Sequence, residues 1–129
     1  MLRTGILNPG VLHLVSRIRH TNTIVIADRG FPFWPTIETV DISLVDGIPT
    51  VLDVLNAFRA NFVVGKAWMA EEFRSHNQES VQQCFTAALK GTELVYEPHI
   101  KFKQRVPRAI GLIRTGDTIP YANMILESA

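Results

Sequence analysis

The 129-residue sequence predicts a single α/β domain over residues 1–129, a three-layer α/β/α arrangement around a largely parallel or mixed sheet of about six strands. Three observations predict this class. Short β-branched runs alternate with amphipathic segments along the whole chain. A hydrophobic content of 47% is enough for a core. No repeat, low-complexity tract or linker rich in Ser or Gly divides the chain. Periodicity leaves the strand order open.

The helices are recognised from their caps and apolar stripes. In the first helix, Asn8 and Pro9 form the pattern of an N-cap followed by proline at the first helical position, and a broad apolar stripe follows as far as Ile18. A polar start and the C-terminal Gly91 bound the third helix, which is predicted to end at Lys90. The four predicted helices lie at residues 9–18, 48–62, 75–90 and 99–105.

The strands are recognised from β-branched or alternating runs. The first, TIVIA, is almost continuously apolar, which is typical of a central strand covered on both faces. ETVDISL alternates between polar and apolar residues, as a half-buried strand does. The six predicted strands lie at residues 23–27, 38–44, 66–72, 93–97, 109–114 and 121–126.

Composition excludes several classes of partner. Thirteen Lys and Arg against twelve Asp and Glu, with no run of like charge, give no electrostatic signature of a nucleic-acid or membrane surface and favour a small neutral ligand or another protein. No apolar run suits a signal peptide or a membrane span, so a cytoplasmic location is expected. Cys84 is the only cysteine, which rules out an internal disulfide, and it is expected to be buried.

Candidate ligand contacts follow two of the predicted strands. Ligands of α/β sheets bind beside the carboxyl ends of strands, and both Asp28 and His99 occupy such positions. In the loop RGFPFWP, a glycine and two prolines hold the aromatic residues in a stiff frame. These rings could pack against the C–H face of a sugar, but a role in the core or in a subunit interface is favoured for Trp34.

The histidines and glutamates suggest acid–base chemistry at one position. His20 lies in a polar turn between helix and strand, where an imidazole can donate or accept a proton near neutral pH. His13 and His76 are expected at the surface or in helix caps, and the Glu71–Glu72 pair as an ordinary strand end. The zinc spacings HxH and HExxH, the phosphate-binding GxGxxG and P-loop patterns and the GxSxG nucleophile elbow do not occur, so no metal or nucleotide cofactor is expected.

Five motifs carry a resemblance to a known family, in a match that runs from Gly5 to Ile125. They are HTNTIVIADRGFP, VDISL with its GIPT turn, AEEFRSHN, PHIKFK and IRTGDTIPYAN. In their order and approximate spacing the chain resembles the D-ribose pyranase and fucose mutarotase family. The resemblance implies a cofactor-free isomerase that interconverts cyclic forms of a free monosaccharide. It also implies a ring-shaped homo-oligomer, typically a decamer of two pentamers, with sugar clefts near subunit boundaries.

The resemblance assigns roles residue by residue. It implies that His20 is the catalytic acid. The residues that it implies hold the sugar are Asp28, His99, Tyr121, Ala122 and Asn123. HTNT and YAN are more similar to the ribose pyranase branch than to the fucose branch, which favours ribose or a ribose-like pentose. Departures from the family pattern include Arg19 and Arg29, and these two arginines leave open that the substrate is an anionic sugar. An anomeric mutarotase for fucose or another sugar and a non-catalytic sugar-binding or transport-associated module are the alternatives.

His20 and Asp28 flank a strand of about five residues, which places them on the order of 15 to 25 Å apart if the chain is extended. One pentose cannot contact both. Either the chain bends back sharply at Thr21 and Asn22, or His20 of one subunit meets Asp28 of its neighbour. We favour the second arrangement as a hypothesis.

Overall fold

The structure is a computed structural model that describes all residues 1–129. The strands are β1 (Thr23–Ala27), β2 (Glu38–Asp41), β3 (Val64–Ala70), β4 (Glu93–Glu97), β5 (Gly111–Arg114) and β6 (Met124–Ser128). The helices are α1 (Pro9–Ser16), α2 (Val51–Asn61), α3 (Glu71–His76), α4 (Glu79–Ala88) and α5 (His99–Arg105), and a 3-10 turn follows at Val106–Arg108.

One mixed sheet contains all six strands, in the order β2-β5-β1-β6-β3-β4. Strand β1 lies in its interior, parallel to β5 and antiparallel to β6. Strand β6 also runs antiparallel to β3, whereas β3 and β4 are parallel. The predicted α/β class is therefore confirmed, with β6 as the one reversed strand.

Helices cover both faces of the sheet, as the apolar run of β1 requires. Successive side chains of a strand point to opposite faces. Ile24 and Ile26 accordingly join the larger core, to which helices α1 to α4 contribute. Val25 and Ala27 join a smaller core that contains Phe102 of α5. Because β1 is buried on both faces, the chain leaves the core only after Ala27, at one edge of the sheet.

Local signals place half of the ten predicted element starts correctly, those of α1, β1, β2, β4 and α5, and several ends too late. Asn8 caps α1 by accepting the Val11 N–H at 3.0 Å, as its position before Pro9 predicts. Helix α1 nevertheless ends at Ser16 and β2 at Asp41, both earlier than expected. The last strand begins at Met124 rather than at residue 121, since Pro120 and Tyr121 form a turn and the two residues after them have no regular structure.

Two predictions are wrong. Glu71 and Glu72 do not end a strand but open helix α3, a position in which the helix dipole favours carboxylates. Cys84 is exposed rather than buried, because the buried stripe of α4 runs through Phe85 and each helical residue is rotated about 100° from the one before. None of the helices is long and apolar enough to cross a membrane.

Candidate active site

Three strand ends bring the candidate residues together at one edge of the sheet. Asp28 follows the carboxyl end of β1, and His99 follows that of β4. Because β6 runs in the opposite direction, the residue before it, Asn123, reaches the same edge. The result is a cleft of about 250 Å³. Its lining residues are Asp28, Gly30, Phe31, Pro32, His99, Pro120, Tyr121 and Asn123.

Asp28 is anchored from two sides. Its backbone N–H donates to Oδ1 of Asn123 at 2.7 Å, and its carboxylate accepts the Gly30 N–H at 2.9 Å. Burial raises the pKa of the Asp28 carboxyl, and the contacts with Gly30 and Asn123 oppose that rise. Since Oδ1 of Asn123 is already bonded, Nδ2 is left to donate to a ligand or to the Asp28 carboxylate.

His99 is held by its backbone and by an aromatic wall. Its N–H donates to Oε2 of Glu72 at 2.8 Å, which ties α5 to α3. The imidazole stacks on Phe102 with ring centroids 5.9 Å apart and meets the edge of Phe31. Burial lowers the pKa of His99, and the positive charge of Lys103 lowers it further. Nδ1 is buried without a hydrogen-bond partner, and His99 lines the cleft.

The turn before β6 supplies Tyr121 in a left-handed backbone conformation, with φ of 56°. Its ring lies between two imidazoles, with centroids 5.1 Å from His99 and 4.9 Å from His76. The neighbouring Ala122 is fully buried and packs in the larger core. Ala122, which the resemblance implies holds the sugar, therefore does not line the cleft.

His20 lies away from this cleft. It is exposed in the turn before β1, whereas Asp28 follows the other end of that strand. Thr21 has a φ of 65°, and the Asn22 side chain accepts the Arg19 N–H, so the turn is closed locally. Five residues of β1 at about 3.3 Å each span roughly 16 Å. The turn does not bring His20 back to Asp28 within one chain.

The two unexpected arginines also point elsewhere. Arg29 pairs with Asp46 at 2.8 Å, and Arg19 donates to the backbone carbonyls of Ser16 and Ile18. Neither lines the cleft. The part of the cleft that one chain builds therefore contains no guanidinium that would select an anionic sugar.

A larger groove of about 650 Å³ lies beside the cleft and contains the aromatic loop. Phe33, Trp34 and Ile100 line it, and Trp34 also packs against the smaller core, consistent with a structural role. We place the chemistry in the smaller cleft because its carboxylate, imidazole, amide and phenol converge there.

Helix α3 supplies two residues that sequence reasoning did not assign to the site. Glu72 anchors the backbone of His99, and His76 packs against Tyr121 while its Nδ1 lies 2.9 Å from the carbonyl of Glu72. The AEEFRSHN motif was the available signal, but it did not reveal a helix. No group of three or more His, Cys, Asp or Glu side chains is arranged to hold a metal ion.

Known proteins resemble this chain over its full length. The model of the RbsD / FucU transport protein family matches residues 1–129. The D-ribose pyranase of Laribacter hongkongensis is 39% identical over 128 residues, which cover 99% of this chain and 97% of that protein.

Solved structures extend the likeness to three dimensions. The structure of Bacillus subtilis RbsD complexed with D-ribose matches with a TM-score of 0.93 at 33% identity, covering 100% of this chain and 98% of that one. The fucose mutarotase of Streptococcus pneumoniae in complex with L-fucose has a TM-score of 0.83 at 18% identity, covering 99% and 98% of the two chains, and shows the shared fold alone. The resemblance inferred from the motifs is confirmed, and the chain belongs to the RbsD / FucU family.

Proposed function

We propose that this protein is a cofactor-independent isomerase that interconverts the pyranose and furanose forms of free D-ribose or a related sugar. The observation that carries the proposal is that a carboxylate, an imidazole, a phenol and an amide converge on one small cleft that no Lys or Arg side chain lines. These groups belong to Asp28, His99, Tyr121 and Asn123. Sugar hydroxyls both donate and accept hydrogen bonds, and this set offers a carboxylate acceptor, an amide donor and two groups that do either. The Laribacter relative, named D-ribose pyranase, supports the choice of sugar.

One C–O bond breaks and another forms in this reaction, and the protein has to supply proton transfers for both steps. A proton leaves the anomeric hydroxyl and another reaches the ring oxygen, so the C1–O bond of the ring breaks and an open-chain aldehyde forms. A different hydroxyl then attacks the aldehyde carbon to close the furanose, and the two protons return. One imidazole acting with a carboxylate or water can relay both protons. Free sugars equilibrate unaided, and a further factor of 10³ requires only about 4 kcal/mol.

We propose His20 as the catalytic acid, delivered to the cleft by a neighbouring subunit. Its exposed position away from the cleft supports this assignment. A ring-shaped homo-oligomer, expected to be a decamer, would supply the neighbour. Exposed apolar residues such as Phe33, Leu44 and Ile48 are typical of surfaces that subunits cover. The cytoplasmic location expected from the sequence completes the proposal.

Saturation-transfer NMR tests the activity directly. The protein is added to D-ribose, and magnetisation transfer between pyranose and furanose signals is measured against a protein-free sample. We expect accelerated exchange for D-ribose. L-fucose in the same panel tests for an anomeric mutarotase, and binding without faster exchange of either sugar would indicate a binding module and contradict the proposal.

A further inference from the structure

One loop builds half of the cleft wall. Residues 28–32 contribute Asp28, Gly30, Phe31 and Pro32, four of the eight residues that line the cleft. The loop follows β1 directly and has no regular secondary structure. Its conformation therefore depends on contacts from neighbouring elements.

Arg114 makes the most extensive of these contacts. Its Nη1 donates to the carbonyl of Phe31 at 2.6 Å and lies 3.3 Å and 3.4 Å from those of Arg29 and Asp28. Its Nη2 reaches the carbonyl of Pro32 at 3.4 Å. One guanidinium thus contacts four backbone oxygens of a five-residue loop.

The sheet explains why this side chain reaches the loop. Arg114 is the last residue of β5, in register with Ala27 of β1 on one side and Asp41 of β2 on the other. Its side chain is only 13% exposed, and its Nε lies 4.0 Å from a carboxylate oxygen of Asp41. The guanidinium is therefore enclosed between a carboxylate and the loop carbonyls.

We propose that Arg114 is a positioning residue that holds loop 28–32 in the conformation that presents Asp28 to the sugar. This role rests on the proposed function, in which Asp28 binds the sugar. A guanidinium has five donors in a planar fork, whereas a lysine ammonium is a point charge with three. Lysine at this position can satisfy only part of the carbonyl set, so the geometry calls for arginine.

The test uses Arg114→Met and Arg114→Lys, with Arg59→Met as the matched control. Arg59 donates to the carbonyls of Ala88 and Lys90, so its removal also deletes contacts between a guanidinium and backbone carbonyls, but none of these residues lines the cleft. We expect Arg114→Met to raise KM for D-ribose about 10-fold while kcat changes less than about 3-fold. Arg114→Lys should give an intermediate KM, and Arg59→Met should leave KM unchanged.

A second readout needs no sugar. Backbone amide resonances of Gly30 and Phe31 in the ligand-free protein should shift in both Arg114 variants and not in Arg59→Met. If Arg114→Met does not fold, Arg114→Lys decides both readouts. Unchanged amide resonances, or a KM equal to that of the control, would overturn the proposal. If the unmodified protein accelerates no sugar, the proposed function fails, and the amide resonances alone decide whether Arg114 positions the loop.

Discussion

The two ends of strand β1 differ in how firmly they hold their polar side chains. At the carboxyl end, Asp28 is half-buried and bonded through its backbone to Asn123 and through its carboxylate to Gly30. At the amino end, His20 is exposed, and its side chain makes no hydrogen bond. A sugar needs a preformed surface to select its hydroxyls and an acid at the reacting atoms. In our proposal one chain builds the binding surface, and its neighbour supplies the acid.

The environments of the two ends suit these separate tasks. The cleft residues are fixed by contacts from distant parts of the chain, as when Glu72 holds His99 across 27 positions. The turn that carries His20 is closed by bonds between Arg19 and Asn22, and backbone bonds to Ser128 join it to the end of β6. A compact exposed turn can enter a neighbour's cleft without disturbing its own core.

Removing the imidazole of His20, at the amino end of β1, should have the largest effect on activity. We expect His20→Ala to lower the accelerated exchange of D-ribose by about 100-fold or more, because general acid catalysis contributes about 10² to 10⁴. Sugar affinity, measured by titration calorimetry, should change little. His13→Ala is the control, since His13 is also exposed but lies on α1. An unchanged exchange rate in His20→Ala would remove His20 from the mechanism.

Changing Asp28, at the carboxyl end of β1, should affect sugar affinity more than turnover. Asp28→Asn keeps the shape and one acceptor but replaces the other oxygen by a donor, so we expect KM for D-ribose to rise about 10- to 100-fold. Glu79→Gln, at an exposed carboxylate of α4 outside the cleft, should leave KM unchanged. A normal KM in Asp28→Asn would mean that the carboxylate does not bind the sugar.

Asp28→Asn also has a predicted effect on thermal stability. Burial raises the pKa of Asp28, so its contribution to stability is complete below the ordinary pKa and is lost as the pH rises through the higher folded-state value. Asp28→Asn should therefore not lower Tm at pH 7. A clear loss of Tm, measured by calorimetry, would contradict this sign.

The smallest effect is expected from the pH response of His99. Burial and Lys103 lower its pKa, so neutral His99 contributes stability above its ordinary pKa of about 6.5, and this is lost as the pH falls through the lower folded-state value. Urea unfolding at pH 7.5 and 5.0 should show a larger loss of stability in the unmodified protein than in His99→Gln. Equal losses in the two proteins would contradict the assignment.

Sequence reasoning recovered the parts of this molecule that depend on local pattern. The TIVIA strand and the Asn8 cap follow from side-chain period and capping chemistry, and the location of Asp28 in the cleft follows from its position after a buried strand. The strand order did not follow, because pairing joins segments far apart in sequence. Helix α3 was missed because an apolar run leads straight into Glu71 and Glu72 without a capping side chain.

The site was predicted in two ways with different reach. Asp28 and His99 could be proposed from strand ends alone, whereas Tyr121 and Asn123 required the family resemblance. Neither approach predicted a role for Glu72, because its carboxylate acts through a contact with the backbone of His99, which lies on another element. Such contacts leave no local pattern in the sequence.

Complementation between variants tests most directly whether one site draws on two chains. His20→Ala and Asp28→Asn chains are unfolded together, refolded as a 1:1 mixture, and assayed below KM for D-ribose beside each variant treated alone. If His20 and Asp28 of one site come from different chains, random mixing rebuilds roughly a quarter of the sites intact, well above the mean of the two parents. Activity equal to that mean would show that both residues act within a single chain.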